Sequence, residues 1–276
     1  MSKNETEATK PEDKKTLGPP KSTAREYFES FVVTLIMAIF GMTFILQAVT
    51  VPTGSMQNTI LIGDYLLVNK FIFSPGGNSL PFLPQREIER GDIIVFKYPG
   101  NKVHPENDRS RKIIPYQINY VKRVVGLPGE TVEFRGNQVF INGQMLPEHR
   151  VIGDADDNNS ALETHEFEPP QPGETHSVYY SEETMKIVQS NGSLPRSNYE
   201  FGVPGKTMKV PENQFFVMGD SRDNSEDSRY WGFVPRELII GRAMFVYWSC
   251  DRAASDGGLF GCLTNPRLNR IGKMIR

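Results

Sequence analysis

The chain has only two cysteines, Cys250 and Cys262, among 276 residues. That excludes a multi-disulfide scaffold and a four-thiolate zinc site. Net charge is nearly absent too: 31 Lys and Arg against 33 Asp and Glu leave −2, with no bias toward nucleic acid or acidic partners. There is no Gly-x-Ser-x-Gly elbow, and Gly219-Asp220-Ser221 continues into Arg222 instead of glycine. The four histidines, His104, His149, His165 and His176, have no distinguishing neighbourhood and read as solvated, so a serine–histidine triad is not expected. No internal repeat is present.

A further absence is positive information. No Asp, Glu, Lys or Arg occurs from Ser30 to Gly63, and residues 31–46 are almost wholly apolar. A helix needs about 20 apolar residues, and at least about 17, to cross the hydrocarbon of a bilayer. A cleaved signal peptide would have a short basic front and an Ala-x-Ala exit. Here 30 residues of mixed charge precede the run, and Leu46-Gln47-Ala48-Val49 offers no such exit. A buried core helix would carry polar residues sooner. An uncleaved transmembrane helix over residues 25–50 is expected, after a Lys/Glu/Pro-rich disordered tail over residues 1–24. Lys3, Lys10, Lys14, Lys15, Lys21 and Arg25 precede the span, and no basic residue follows it until Lys70. The positive-inside rule then puts the N-terminus in the cytoplasm and the remaining chain outside.

Twenty Pro, 17 Phe and 10 Tyr favour strands and loops over helices in the rest. Residues 60–68, 92–98, 118–125, 214–218 and 242–248 have strand character, and residues 131–134 and 138–141 form a hairpin around Gly136-Asn137. Residues 74–79 and 81–84 are loop. Residues 150–208 turn polar, with the Asp/Asn run 154–159, the Pro/Gly/Glu stretch 168–174 and Ser190-Asn-Gly-Ser193. The expected fold is mainly β: an antiparallel core over residues 51–130 and 210–276, interrupted by a β-rich cap over residues 131–209.

Three places can carry chemistry. Ser55 lies in Val51-Pro52-Thr53-Gly54-Ser55-Met56, just past the apolar span, but a serine hydroxyl is a poor nucleophile without a base. Without a suitable histidine the alternative is lysine. In Ile118-Asn-Tyr-Val-Lys-Arg-Val-Val125, alternation puts Lys122 on one face with Ile118, Tyr120 and Val124. Free lysine titrates near 10.4, and burial lowers that by up to about 3–5 units, enough to make a base near neutral pH. The competing reading is that Lys122 snorkels to solvent. The third place is Gly219-Asp-Ser-Arg-Asp-Asn-Ser-Glu-Asp-Ser-Arg-Tyr-Trp-Gly232, with six charges between Asp220 and Arg229. Asp223, Ser225 and Asp227 have the opening spacing of a calcium loop, but Ser228 and Val234 stand where such a loop needs glycine and glutamate. A network of paired Asp and Arg groups bracing a site fits better.

Pro52-Thr53-Gly54-Ser55-Met56, Tyr120-Val-Lys-Arg-Val-Val-Gly-Leu-Pro-Gly129 and Gly219-Asp-Ser-Arg-Asp-Asn-Ser-Glu-Asp-Ser-Arg-Tyr-Trp-Gly-Phe-Val-Pro235 closely resemble, in order, the motifs of bacterial type I signal peptidases. The resemblance runs from residue 30 to the C-terminus apart from the polar insertion. It implies a cofactor-free, metal-free serine–lysine endopeptidase of the bacterial inner membrane, single-pass with an extracytoplasmic catalytic domain. Such an enzyme cleaves signal peptides from exported preproteins after small residues, at Ala-x-Ala sites. Carried over residue by residue, Ser55 is the nucleophile and Lys122 the general base. Thr53 assists the Ser55 backbone N–H in the oxyanion hole, Ser225 orients the lysine, and Asp227 and Arg229 are a supporting ion pair. Ser221 departs from the family, where Asn is frequent, and lies outside these roles. The implied partners are preproteins and the lipid bilayer.

Small cleavage-site residues leave little side-chain binding energy, so an extended substrate would gain affinity by strand addition, with residues 51–56 or 64–68 as the expected edge. Phe71, Phe73 and Phe82 are either interfacial or core. Cys250 and Cys262 are either disulfide-bonded, worth roughly 3 kcal/mol by loop closure, or two free thiols. A self-cleaving repressor-type serine–lysine protease is the nearest alternative, but such proteins lack a membrane span. A non-catalytic anchored β-domain has no reason to keep Ser55, Lys122 and Ser225 together.

Overall fold

The computed structural model describes residues 22–73, 85–153, 161, 164–170, 172–191, 199–251 and 261–276. The expected tail up to residue 21, the loops 74–79 and 81–84 with Phe82, and the polar runs 154–159 and 192–193 lie outside the described residues. The chain divides into two compact units, residues 1–42 and 43–276.

The first unit contains α1 (Thr23–Phe40). Ser22 caps it by accepting from the Arg25 backbone N–H at 3.4 Å, and Arg25 pairs with Glu29 one turn on. Helical structure continues to Ile45, giving 23 residues long and apolar enough to cross a membrane, with no side chain of the apolar stretch buried in protein. At 1.5 Å per residue that spans about 35 Å, more than a hydrocarbon core of about 30 Å. The span is shorter than residues 25–50. Its last five residues, Leu46–Thr50, form a strand, because Val49 and Thr50 are β-branched and pair with Leu66 and Tyr65.

The second unit is β-rich. Its strands begin with β1 (Leu46–Thr50), β2 (Asp64–Asn69), β3 (Ile93–Lys97) and β4 (Asn119–Gly126). There follow β5 (Thr131–Arg135), β6 (Gln138–Ile141), β7 (Gln144–Met145), β8 (His149–Gly153), β9 (Thr164–Glu166), β10 (Ser177–Tyr180) and β11 (Met208–Lys209). The chain ends through β12 (Gln214–Met218), β13 (Val234–Pro235) and β14 (Ile239–Ser249). Short helices α2 (Pro105–Ser110), α3 (Glu182–Asn191) and α4 (Ser228–Trp231) lie between them. Seven strands make one antiparallel sheet in the order β1-β2-β14-β3-β4-β12-β13. Residues 131–209, between β4 and β12, supply two smaller sheets, β11-β5-β6-β7 and β10-β8-β9. The hairpin β5–β6 turns at Gly136 with φ 61°, which a side chain would disfavour.

Both faces of the main sheet are covered. Met56, Val95, Val121 and Val246 pack on one side, and Phe96, Tyr98, Val124 and Trp231 on the other. Each fully buried large apolar side chain contributes about 1.5–3 kcal/mol. Phe73 belongs to the second cluster and is core, not interface. Asp64, wholly buried, accepts from Arg270, Ser249 and the Leu61 backbone N–H, which fixes the turn entering β2. Cys250 and Cys262 are joined by a disulfide, with Cα atoms 5.1 Å apart.

One expectation about substrate docking is corrected by this topology. Residues 64–68 offer no free edge, since β2 pairs with β1 on one side and β14 on the other. The first half of β4 does. It pairs with β3 over Asn119–Arg123, whereas β12 covers only its second half, from Arg123 to Gly126.

Candidate active site

Ser55 sits in the turn between β1 and β2. Val51, Met56 and Ile60 are buried beneath it, and Gln57 N–H to Gly54 C=O (2.9 Å) with Ile60 N–H to Met56 C=O (2.8 Å) closes it. The serine is itself buried, at 8% exposure, yet lines an open cleft of about 1210 Å³.

Lys122 reaches the same cleft from β4, where it stands opposite Ile94 of β3. Its amine is 2.5 Å from Ser55 Oγ, although 67 residues separate the two. It does not snorkel: only 3% of it is exposed, and its Nζ lies 5.5 Å from the centroid of the Tyr120 ring. Tyr120 in turn stacks on Tyr98 at 4.7 Å. Burial lowers Lys122 to about 8, against opposing attraction from Asp227 and Glu226. At that value an appreciable share of the side chain is neutral at pH 7–8.

The third motif holds the site from below. Asp227 caps α4 and is fully buried; burial pushes its carboxyl up, but the Arg229 charge and its hydrogen bonds outweigh this and hold it below the usual range. Its Oδ1 accepts from Arg229 Nε at 2.8 Å, and its Oδ2 from Arg229 Nη2 (2.8 Å), Ser225 Oγ (2.8 Å) and Gly219 N–H (3.0 Å). Ser225 thus donates its one proton to Asp227, leaving its lone pairs as acceptors. The Ser55 carbonyl accepts from Ser221 N–H at 3.2 Å, which links the Ser55 turn to the 219–232 loop. Thr53 is exposed and lines the cleft beside Ser55.

Several participants were not legible in the sequence. Of the charges in the 219–232 loop, Asp227 and Arg229 pair with each other. Asp220 instead takes both arms of Arg123, at 2.8 and 2.7 Å, and the Thr59 hydroxyl at 2.6 Å. Arg222 is buried against Glu148, between β7 and β8. Arg222 N–H also donates to Tyr179 C=O at 2.8 Å, so the β8–β10 region is tied to the loop by backbone and side chain. A bracing network is present, but most of its partners come from far along the chain, where spacing carries no signal.

Of the histidines expected to be solvated, His104 is exposed as expected and His176 is not. His176 has a side chain only 8% exposed, 3.6 Å from Glu148, because β10 packs it toward the Arg222 pair. His104 lines the cleft, but its two ring nitrogens are each 2.9 Å from a carboxylate, Glu106 and Glu200. Those carboxylates raise its pKa, Glu200 foremost.

Residues 24–248 match the family model described as signal peptidase, peptidase S26. Signal peptidase I of Aquifex aeolicus (strain VF5) is 33% identical over 91% of this chain and 98% of its own. Signal peptidase I of Pseudomonas fluorescens is 33% identical over 81% of this chain and 72% of its own. A probable signal peptidase I-2 of Synechocystis sp. is 30% identical over 87% and 80%, respectively. A solved signal peptidase I of Enterococcus faecalis V583 is 26% identical over 57% of this chain, with a TM-score of 0.29, too low for its fold to be carried over.

Proposed function

The chain belongs to the peptidase S26 family of signal peptidases, serine endopeptidases that remove signal peptides, and from that premise we propose that it works through a Ser55–Lys122 dyad at the membrane surface. The observation that carries the dyad is the 2.5 Å contact between a buried, weakened lysine and the serine hydroxyl. Neutral Lys122 takes the Ser55 proton as Oγ attacks the scissile carbonyl. The ammonium then gives that proton to the leaving amine, and the acyl-enzyme is hydrolysed by water that Lys122 deprotonates in turn. Ser225, Asp227 and Arg229 act as positioning residues through the lysine and the loop.

The substrate backbone adds as a strand to the open edge of Asn119–Lys122, opposite residues 51–56. Cleavage after small residues, at Ala-x-Ala sites, follows from the resemblance of the motifs. α1 and its continuation anchor the enzyme in the bacterial inner membrane, N-terminus inside and the β-rich unit outside. External protease added to spheroplasts should digest the β-rich unit; full protection would reverse the orientation.

A precursor with an Ala-x-Ala site, incubated with wild-type and Ser55→Ala protein in detergent, tests the reading. Cleavage at that site by wild type and none by Ser55→Ala is expected; equal cleavage by both would sink it. Thr53→Ala should lower kcat about 10²–10³-fold with little change in KM, the cost of one oxyanion donor. An unchanged kcat would remove Thr53 from the oxyanion hole.

A further inference from the structure

Arg111 and Glu226 form an ion pair that the dyad does not require. Glu226 stands between Ser225 and Asp227, and its two oxygens accept from Arg111 at 2.5 and 2.6 Å, across 115 residues of sequence. The segment carrying Arg111 is firmly built. Buried Asp108 accepts from Tyr98 Oη at 2.9 Å and from Asn101 N–H at 2.7 Å. Gly100 has φ 82°, and Pro115 lies 2.8 Å from where a Cβ would stand. The pair itself is 44% and 28% exposed, so it contributes little to stability. Its location is the informative part: both residues line the cleft that holds Ser55 and Lys122.

The charges acting on Lys122 are Asp227, Glu226, Arg229 and Asp220, beside the Tyr120 ring. Asp227 is matched by Arg229 and Asp220 by Arg123, both inside the protein. Glu226 is matched by Arg111 on the cleft wall. Tyr98 and Tyr120 also lie within the field of Glu226, and Tyr120 within that of Arg111. A carboxylate in this position favours the ammonium form of Lys122, and a cation clamped to both its oxygens cancels much of that field.

We propose that Arg111 is a positioning residue for the reaction: by holding and neutralising Glu226, it keeps Lys122 free to act as a base. The inference rests on the reading of Lys122 as that base. It also gives residues 99–118 a task in catalysis that no motif assigns to them.

The test is kcat/KM against pH for the full-length enzyme in detergent, with Arg111→Gln, Glu226→Gln and the double variant. Arg111→Gln leaves a bare carboxylate, so the acid limb should move to higher pH by about half a unit or more, a roughly threefold loss at pH 7 that fades at high pH. Glu226→Gln leaves a bare cation, and the limb should move to lower pH. The double variant should return close to wild type. A merely structural role would lower the rate alike at every pH. That outcome, or a shift in Arg111→Gln that the second substitution fails to reverse, overturns the proposal. Lys122→Ala is assayed alongside: cleavage surviving there would overturn the base assignment, whereas an inactive Lys122→Ala with unmoved limbs would overturn only the role of Arg111.

Discussion

Lys122→Met is expected to abolish precursor cleavage, by at least about 10³-fold, while raising the melting temperature. The two effects have one cause. Folding places a lysine at 3% exposure, and burial lowers it to about 8 from 10.5. Between about pH 8 and 10.5 the unfolded chain binds a proton that the folded chain does not, so stability rises with pH across that window. Below pH 8 both states are protonated, and the folded state carries the full penalty, on the order of 3 kcal/mol. Methionine has similar length and no charge, so it removes the penalty along with the proposed base. In wild type, kcat/KM should rise about tenfold per pH unit up to about pH 8 and then level off, because the proposed dyad needs the neutral amine to take the Ser55 proton. Calorimetry and a pH series measure both halves. An inactive variant with a lowered melting temperature would mean Lys122 is chiefly structural, and an acid limb near pH 10 would mean burial does not tune it.

Gly219→Ala is expected to lower kcat by about 10²-fold or more with a smaller change in KM. A Cβ at this position would lie 2.2 Å from Ser225 Oγ, 2.5 Å from Ser225 Cβ and 2.4 Å from the Ser55 carbonyl oxygen. The third of these is backbone and cannot rotate away. Gly219 is not among the residues with positive φ, so alanine meets no backbone strain there and the effect is purely steric. Pushing the loop outward also breaks the Gly219 N–H bond to Asp227 and the Ser221 N–H bond to Ser55. One methyl group thus displaces the Ser55 turn and the 219–232 loop together, with an overpacking cost of about 1–3 kcal/mol. Wild-type kcat in a folded Gly219→Ala protein would show that this close approach is not needed for catalysis.

The sequence was most legible where the signal is local. The hairpin around Gly136-Asn137 follows from alternation and turn residues, and the strand at residues 214–218 from its short β-prone apolar run; the structure has them as β5–β6 and β12. The long apolar run is helical as expected up to Ile45. Beyond that, Leu46–Thr50 is uncharged like the run before it, and pairing with β2 makes it a strand. Residues 60–68 read as one strand for a similar reason, yet β2 starts at Asp64, where buried Arg270 captures the carboxylate. His176 looked solvated because its neighbours in sequence are polar; its neighbours in space are Glu148 and Arg222.

By itself the sequence determined the apolar span, the β character of the remainder, the family, and the types of residue available for chemistry. Each of these is carried by composition, by periodicity over a few residues, or by ordered motifs. Only the tertiary structure decided the environment of those residues. A lysine on an apolar strand face is a solvated cation or a base depending on whether other strands cover it, and here β3, the Ser55 turn and the 219–232 loop do. Contacts across 67, 97 and 115 residues set that environment, between Lys122 and Ser55, Arg123 and Asp220, and Arg111 and Glu226. Desolvation and electrostatic fields act through space, so they become readable only once the chain has closed those distances.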